Sequence, residues 1–479
     1  MNILFIMADS LVPHLTGPYG DKMAQTPNLD RLAAVGTVFE NAYCNSPLCA
    51  PSRASMMTGR YGSDIGAFDN GTEFSAEWPT IPYALRAAGY DTTLIGKMHY
   101  VGHDQLHGFN RRIAWEGDYT TEFNIKDVYQ LAWSWEQPPR GNPVGYDWMG
   151  PSYVYAPQWD HYPRHYDDDE YIHREALRFL GEKDPGDDPF FCCVSYHAPH
   201  NPFWIPEEFK APFRDKALPL PEIPDGVETC HGPMDEWLRV FHYADEVGEA
   251  MMQPENLRWL YETYYGMVYD LDRRIGALLD TLRARGLDEN TAVVFASDHG
   301  DMLAQRGMLQ KRCFYEWSAR VALIVCLPQA QGEEQRAPQL VSLLDLFPTF
   351  AEMAGADMPD SLPGRSLLPA VTGAAQLEEQ PVYCEYHGEG VLAPCFAVRS
   401  GDFKYVYVHG HEERLYNVVS DPNEFTNLIK DTAHAAIAQE LKQHLLATFN
   451  PDKVAEKALT SQRNRAFLLN CIQRSKEQI

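Results

Sequence analysis

Short apolar runs that alternate with helical segments are the feature that most restricts the fold of this 479-residue chain. The runs have the length and composition of buried strands, and amphipathic helical patterns separate several of them. Strands joined by helices assemble into a mainly parallel sheet with helices on its faces. The predicted strands are residues 3–7, 37–43, 91–95, 188–196, 291–297 and 320–326. The sequence therefore predicts an α/β fold with a large mixed, mainly parallel sheet.

Polar residues follow these predicted strands at or beyond the points where the strands end. In an open α/β sheet, the carboxyl ends of parallel strands meet at one edge, where ligands bind. Taken singly, each residue has a structural alternative: a helix cap or turn for Asp9, a solvated side chain for Lys97 and a hydrogen-bonded turn residue for His200. The predicted site residues at this edge are Asp9, Cys49, Lys97, His99, His200, Asp298, His299 and Lys311.

The stretch from Cys49 to Gly59, CAPSRASMMTG, joins a cysteine to an arginine four residues later. Pro51 biases Ala50 away from helix, so we expect Cys49 to lie on a turn and a helix to begin near Ser52. Backbone N–H groups and the dipole at a helix N-terminus favour an anion. A buried structural cysteine in a turn is the alternative explanation for Cys49.

The remaining candidate positions suggest a cation site beside a basic one. Carboxylates such as those of Asp9 and Asp298 favour Ca²⁺, Mg²⁺ or Mn²⁺, and His299 shifts the preference toward Mn²⁺ or Zn²⁺. An extended segment after residue 95 would place Lys97 and His99 on one face. Asp69 and Asn70 lie in a turn-rich segment, and the acidic run at 167–170 is typical of a solvated helix start.

Composition excludes several partners. The formal net charge of −27 argues against nucleic acid and against anionic membranes, so an anionic substrate requires a local cluster of cationic groups. Arg53, Lys97 and Lys311 would form such a cluster. Residues 1–9 lack a basic segment and are too short for a signal core or a membrane span. Ten irregularly spaced cysteines fit a reduced, cytoplasmic protein better than a disulfide scaffold.

The pattern changes toward the C-terminus. Helices are predicted over 254–285 and 340–356, and residues 110–171 suggest loops around a pocket. Beyond residue 380, short strands over 381–386, 395–399 and 403–408 predict a small antiparallel sheet, with closing helices over 433–449 and 452–478. We therefore predict a catalytic domain at residues 1–375 and a C-terminal subdomain at 376–479.

The motif at Cys49 resembles the signature of the type I sulfatases, a branch of the alkaline-phosphatase superfamily. Pro51, Ser52, Arg53, Thr58 and Gly59 occupy the family's positions in it. The likeness extends over nearly the whole chain, and within the family it is greatest to the choline sulfatases. Further matching landmarks are Asp9, Gly96-Lys97-Met98-His99, His200, Ser297-Asp298-His299-Gly300, Lys311, the stretches at 41–49 and 104–109, and Gly388-Glu389-Gly390-Val391.

The resemblance implies a sulfatase mechanism and a set of partners. A maturation enzyme would oxidise Cys49 to Cα-formylglycine, whose hydrated gem-diol attacks sulfur. Asp9, Asp298, His299 and residue 49 would hold Ca²⁺, with Mn²⁺ or Mg²⁺ as alternatives. Arg53 and Lys97 would stabilise the gem-diol and sulfate oxygens. His200 with Lys311 would protonate the leaving alcohol, His99 would deprotonate the second hydroxyl, and Asn70 matches a position near the sulfate. A small-molecule sulfate ester is the expected substrate and a homo-oligomer the expected assembly.

Two departures from the family pattern affect the substrate. Ser10 stands where many sulfatases have a second aspartate, although choline sulfatases also lack it. The C-terminal segment has no aromatic residue or aspartate after Phe467, so the pocket expected for a choline group is incomplete. A phosphonate monoester hydrolase or phosphodiesterase of the same superfamily is the first alternative. A sulfate-ester binder with an unmodified Cys49 is the second.

Overall fold

A computed structural model of the chain describes residues 1–113, 135, 164–221, 223–242, 251–328 and 335–476. Most of the predicted loop region at 110–171 lies outside these ranges. The strands are β1 (Asn2–Ala8), β2 (Thr37–Tyr43), β3 (Asp91–Gly96), β4 (Arg111–Ile113), β5 (Phe190–Ser195), β6 (Thr291–Ser297), β7 (Arg320–Val321), β8 (Leu323–Cys326), β9 (Gln335–Ser342), β10 (Val382–Tyr386), β11 (Cys395–Ser400), β12 (Phe403–Val408) and β13 (Glu413–Asn417).

Helices cover both faces of the larger sheet. Helices in the first part of the chain are α1 (Pro27–Ala33), α2 (Cys49–Thr58), α3 (Gly62–Ile65), α4 (Ile81–Ala87), α5 (Arg164–Gly181), α6 (Glu207–Lys210), α7 (Pro233–Phe241) and α8 (Pro254–Ala284). Those in the second part are α9 (Glu316–Ala319), α10 (Leu346–Ala354), α11 (Leu368–Val371), α12 (Ala435–Thr448) and α13 (Pro451–Lys476). None of the helices in the described ranges is both long and apolar enough to cross a membrane.

The larger sheet has nine strands in the order β4-β3-β5-β1-β6-β8-β2-β7, with β9 also paired to β2. β1 lies between β5 and β6 and is parallel to both. β8 is antiparallel to both β6 and β2, so β2 runs in the same direction as β1. The carboxyl ends of β1, β2, β3, β5 and β6 consequently lie at one edge. The predicted mixed, mainly parallel sheet is confirmed.

β1 explains why the sheet is covered on both faces. All seven of its residues are buried. Ile3, Phe5 and Met7 contribute to the hydrophobic core on one face, whereas Leu4 and Ile6 contribute to the core on the other. Successive side chains of a strand alternate between faces, and a strand between two helical layers must therefore be apolar throughout.

The second sheet is antiparallel, in the order β10-β11-β12-β13, and α12 packs against it. The predicted small C-terminal antiparallel sheet is confirmed, and β13 is an additional strand. A boundary at residues 375 and 376 would fall between α11 and β10; it stays a prediction. All ten cysteines are free thiols.

The structure corrects the predicted elements at residues 340–356 and 320–326. Residues 340–342 are the end of β9 rather than the start of a helix, because they pair in parallel with β2. Ser342 then ends the strand: its hydroxyl accepts a hydrogen bond from the Leu344 N–H, and the Asp345 carboxylate accepts one from the Ser342 N–H. The predicted single strand at 320–326 is divided at Ala322 into β7 and β8.

Candidate active site

A compact group of four buried side chains lies at the carboxyl edge of the larger sheet. Asp9 follows β1, Asp298 and His299 follow β6, and Cys49 is the first residue of α2. One potential ligand atom from each of the four lies within 4.8 Å of the others. The structure therefore brings together all four residues that were predicted to hold a metal.

The donor chemistry of this group fits a divalent cation. Burial raises the pKa of Asp298, and the neighbouring Asp9 raises it further, although Arg53 opposes the shift. Two buried carboxylates this close are favourable only where positive charge compensates them. His299 Nδ1 lies 2.9 Å from the Gly300 carbonyl oxygen, so Nδ1 donates there and Nε2 faces the group. Two carboxylates and an imidazole are suitable ligands for Ca²⁺, Mg²⁺ or Mn²⁺.

Arg53 forms ion pairs with both carboxylates of this group, Asp9 and Asp298. Its side chain is 0% exposed, with Nε 2.8 Å from Asp298 Oδ2 and Nη2 3.0 Å from Asp9 Oδ2. Nη1 donates to the Lys97 carbonyl oxygen and to Ser195 Oγ. These bonds fix the orientation of both carboxylates. The predicted contact between Arg53 and substrate oxygens stays a prediction.

Cys49 lies inside the group rather than on a preceding turn. The helix α2 begins at Cys49 itself, three residues before the predicted start, with Leu48 extended as its N-cap. Cys49 Sγ is 3.2 Å from His299 Nε2 and 3.9 Å from Asp9 Oδ1. Burial and Asp9 raise the pKa of the thiol, but Lys311, Lys97 and His299 outweigh them, so its pKa falls well below the usual value. The site thus favours a negative charge at position 49.

Cationic and imidazole groups surround the same carboxylate. Lys97 Nζ is 2.8 Å from Asp9 Oδ2, and His200 Nε2 is 3.9 Å from Asp9 Oδ1. Lys311 Nζ donates to Ser10 Oγ at 3.3 Å, and Ser10 Oγ donates to Asp9 Oδ1 at 2.9 Å. Lys97 is the largest of the charges that hold the pKa of Asp9 well below its ordinary value against the opposing effect of burial. Burial, reinforced by Lys311 and Lys97, lowers the pKa of His200 to about 4.

The two remaining candidates are His99 and Asn70. β3 ends at Gly96, whose φ is 104°, and His99 has a φ of 56°. The backbone after the strand is thus not regularly extended, so the strand alternation expected to place Lys97 and His99 on one face does not apply. Asn70 Oδ1 accepts a hydrogen bond from the Ala50 N–H at 3.0 Å, which places Asn70 at the start of α2.

Two residues that support the site were assigned no role in it from the sequence. Asp169 accepts hydrogen bonds from the backbone N–H groups of His197 and Ala198 at 2.7 and 2.9 Å and thereby holds the turn that carries His200. It belongs to the acidic run that suggested a solvated helix start, but it is only 3% exposed. Glu389, also buried, accepts from the Asn70 N–H at 3.2 Å. Glu389 lies in the motif Gly388-Glu389-Gly390-Val391, which was a signal in the sequence. No signal in the sequence pointed to Asp169.

Removal of divalent cations is expected to destabilise the protein. After loading with CaCl₂, we expect EDTA to lower the Tm by about 5 °C, because a ligand that binds only the folded state stabilises it. Differential scanning calorimetry with and without EDTA measures this shift. The Asp298→Asn variant is the control, since loss of a ligand charge should make its Tm respond less. An equal Tm for the wild-type protein in both conditions would contradict a metal site here.

Comparisons with solved structures give the fold first. The fold is similar to that of a phosphonate monoester hydrolase of Agrobacterium radiobacter, with a TM-score of 0.74, 24% identity and coverage of 93% of this chain and 95% of that one. It is also similar to a protein solved in complex with its substrate D-glucosamine-2-N,6-O-disulfate, with a TM-score of 0.72, 24% identity and coverage of 95% and 98%. At this level of identity, the two likenesses show the fold of the chain.

Sequence comparisons give the family. A family model described as Sulfatase matches residues 1–356, and one described as the C-terminal region of N-sulphoglucosamine sulphohydrolase matches residues 304–450. A choline-sulfatase of Rhizobium meliloti (strain 1021) is 34% identical over 443 residues, covering 90% of this chain and 82% of that protein. An arylsulfatase of Clostridium perfringens is 29% identical over 470 residues, covering 93% of each. The chain belongs to the sulfatase family and is a sulfuric ester hydrolase.

Proposed function

We propose that the protein hydrolyses a small sulfate monoester through a formylglycine made from Cys49. The observation that carries this proposal is the position of Cys49 at the N-terminus of α2, within 4.8 Å of the ligand atoms of Asp9, Asp298 and His299. The hydrated modified residue would supply the nucleophilic hydroxyl, and a divalent cation, with Ca²⁺ proposed first and Mn²⁺ or Mg²⁺ as alternatives, would supply Lewis-acid stabilisation.

The chain's own residues would bind and orient the ester. Lys97 and Lys311 carry positive charge into a largely buried site, where it stabilises developing negative charge more strongly than in water. Because the pKa of His200 is about 4 in the free site, we propose that Lys311 donates the proton to the leaving oxygen while His200 hydrogen-bonds to it. His99 would accept the proton that is released when sulfate departs.

The alcohol half of the substrate is proposed from the surroundings of Asn70. The buried Glu389 carboxylate lies 3.2 Å from the Asn70 backbone nitrogen and 3.9 Å from Arg312 Nε. A carboxylate beside the proposed sulfate position favours an alcohol that carries a cationic or hydrogen-bond-donating group. Choline sulfate, suggested also by the choline-sulfatase relative, meets this requirement. Another small organic or sugar sulfate is the alternative.

Two measurements on the purified protein test the proposal. The peptide containing Cys49 is expected to be lighter than its cysteine form by about 18 Da, which corresponds to conversion of the thiol to an aldehyde. The kcat/KM for an aryl sulfate is expected to exceed that for an aryl phosphodiester by at least about 100-fold. A ratio below one would instead favour a phosphodiesterase or phosphonate monoester hydrolase. An unmodified peptide in protein that binds but does not turn over sulfate esters would favour the binder.

Replacement of Lys311 by alanine is expected to impair turnover most for poor leaving groups. We expect kcat/KM to fall by about 10³-fold for an alkyl sulfate and by about tenfold or less for a nitrophenyl sulfate, because a phenolate of low pKa needs little protonation. A plot of log kcat/KM against leaving-group pKa for the wild-type and Lys311→Ala enzymes measures the difference. The control is Lys216→Ala. Lys216 Nζ donates a hydrogen bond to the Met23 carbonyl oxygen. Equal losses across the series would contradict the assigned role of Lys311.

The proposal extends to a maturation partner, a cellular location and an oligomeric state. We propose a maturation enzyme that oxidises Cys49 as a partner, because a cysteine cannot supply the hydroxyl that this mechanism needs. A cytoplasmic location is proposed from the ten free thiols, of which Cys192 and Cys193 are adjacent and buried in β5. A homo-oligomer is proposed from the family resemblance, and sedimentation of the purified protein tests it.

A further inference from the structure

The C-terminal helix α13 reaches the region of the active site through one buried ion pair. Arg465 Nη1 and Nη2 donate to the two carboxylate oxygens of Asp69 at 2.8 and 2.6 Å. The two residues are 396 positions apart in sequence and are 7% and 1% exposed. A paired, two-point contact between guanidinium and carboxylate fixes orientation as well as distance.

Asp69 in turn organises the turn that contains Asn70. Its Oδ1 also accepts hydrogen bonds from the Gly71 N–H at 3.0 Å and from Thr72 Oγ1 at 2.6 Å. The segment that carries Glu389 packs tightly behind this turn, since a Cβ added at Gly388 would lie 2.7 Å from the Cβ of Asp69. The turn is therefore held from one side by Gly388 and from another by Arg465.

Asn70 transmits this arrangement to the nucleophile. The Ala50 N–H is among the N-terminal amides of α2 that lack a partner within the helix, and Asn70 Oδ1 accepts its hydrogen bond at 3.0 Å. No described residue accepts a hydrogen bond from Asn70 Nδ2. Displacement of the turn would release the amide next to Cys49 and move Nδ2 together with it.

We propose that Arg465 is a positioning residue for the active site. By holding Asp69, the guanidinium of the last helix fixes Asn70 and, through Asn70, the N-terminus of α2 beside residue 49. The catalytic effect rests on the proposed function, because it requires that Asn70 lies at the sulfate position. The effect on the Ala50 amide is independent of the substrate. This division allows the two proposals to be tested separately.

The test compares single and double variants by two measurements. In Arg465→Gln and Asp69→Asn, we expect the Ala50 amide to exchange hydrogen for deuterium at least about tenfold faster. We also expect kcat/KM for an aryl sulfate to fall by about 10- to 100-fold. The double variant should have a kcat/KM no lower than that of the less active single variant, because both changes break the same ion pair. Arg465→Lys, which keeps the positive charge but not the two-point fork, should restore part of both losses.

Lys457→Gln is the matched control. Lys457 lies on the same helix and donates to the Ser63 carbonyl oxygen at 3.4 Å, so its replacement also loosens α13 but leaves Asp69 untouched. We expect it to change neither amide exchange at Ala50 nor kcat/KM. Unchanged exchange at Ala50 in Arg465→Gln, or additive losses in the double variant, would overturn the positioning role. Faster exchange in a protein whose wild-type form hydrolyses no sulfate ester would support the contact and refute the proposed function.

Discussion

Replacement of Cys49 by alanine is expected to lower kcat/KM for an aryl sulfate by at least about 10⁴-fold, a loss typical of removing a covalent nucleophile. A water molecule cannot substitute for the Cys49 side chain without loss of activity. Cys49 Sγ lies 3.2 Å from His299 Nε2 and 3.9 Å from Asp9 Oδ1, within the buried group. The overall structure should persist, since only one sulfur atom is removed. Steady-state kinetics and thermal unfolding measure the two effects.

Cys192→Ala is the matched control for this prediction. Cys192 is also a buried thiol, but it lies within β5, and burial raises its pKa, whereas the pKa of Cys49 is lowered. Because Cys192 only fills space, the Cys192→Ala protein should be less stable but should retain turnover. If Cys49→Ala and Cys192→Ala had the same kcat/KM, the nucleophile would lie elsewhere. If the wild-type protein showed no turnover and Cys49→Ala bound a sulfate ester as well as the wild type, the protein would be a binder.

The predicted strands show how much of the fold follows from local sequence. The bounds 37–43 and 291–297 agree with β2 and β6. All seven residues of β6 are buried. A strand covered on both faces is mainly apolar, so its ends are visible in the sequence. β13 was missed, since its central residues Arg414, Leu415 and Tyr416 include a buried arginine that does not mark a strand. That arginine is compensated by Asp235 at 3.2 Å, a contact that no local pattern contains.

The error at residue 340 has a local signal that was available. Ser342 and Asp345 form a reciprocal capping arrangement, which marks a helical start after residue 342 rather than at residue 340. The apolar residues on both sides of it concealed the boundary because they suit a buried strand and a buried helix equally. Helical periodicity alone could not distinguish the two, whereas the cap could.

The candidate site was predictable where strand ends determine position and not where distant segments meet. Asp9, Asp298 and His299 were predicted to lie together because parallel strands share an edge, and one ligand atom from each lies within 4.8 Å of Cys49. Asp169 and Arg465 act from helices whose packing depends on the completed fold. Their sequence surroundings indicate ordinary surface positions, so only the three-dimensional structure connects them to the site.

Replacement of Arg53 by methionine is expected to damage both stability and activity. Removing one partner of a buried ion pair costs about 3–5 kcal/mol, because the remaining charge is left without compensation. In this case Asp9 and Asp298 would both lose their hydrogen bonds to the guanidinium. Chemical denaturation in EDTA measures the free energy of unfolding. We expect kcat/KM of the folded enzyme to fall by about 10³-fold, since the ligand carboxylates are no longer held in position.

Lys404→Met distinguishes a loss of stability from a loss of site geometry. Lys404 is likewise buried, at 3% side-chain exposure, and lies 3.0 Å from Glu316 Oε1 and 2.6 Å from Glu424 Oε1 in the junction with the second sheet. We expect this variant to lose a similar free energy of unfolding but to retain kcat/KM within about threefold. Arg53→Lys should stay close to Arg53→Met in activity, because an ammonium cannot reproduce the guanidinium fork that spans both carboxylates. Full activity of Arg53→Lys would show that charge alone suffices at this position.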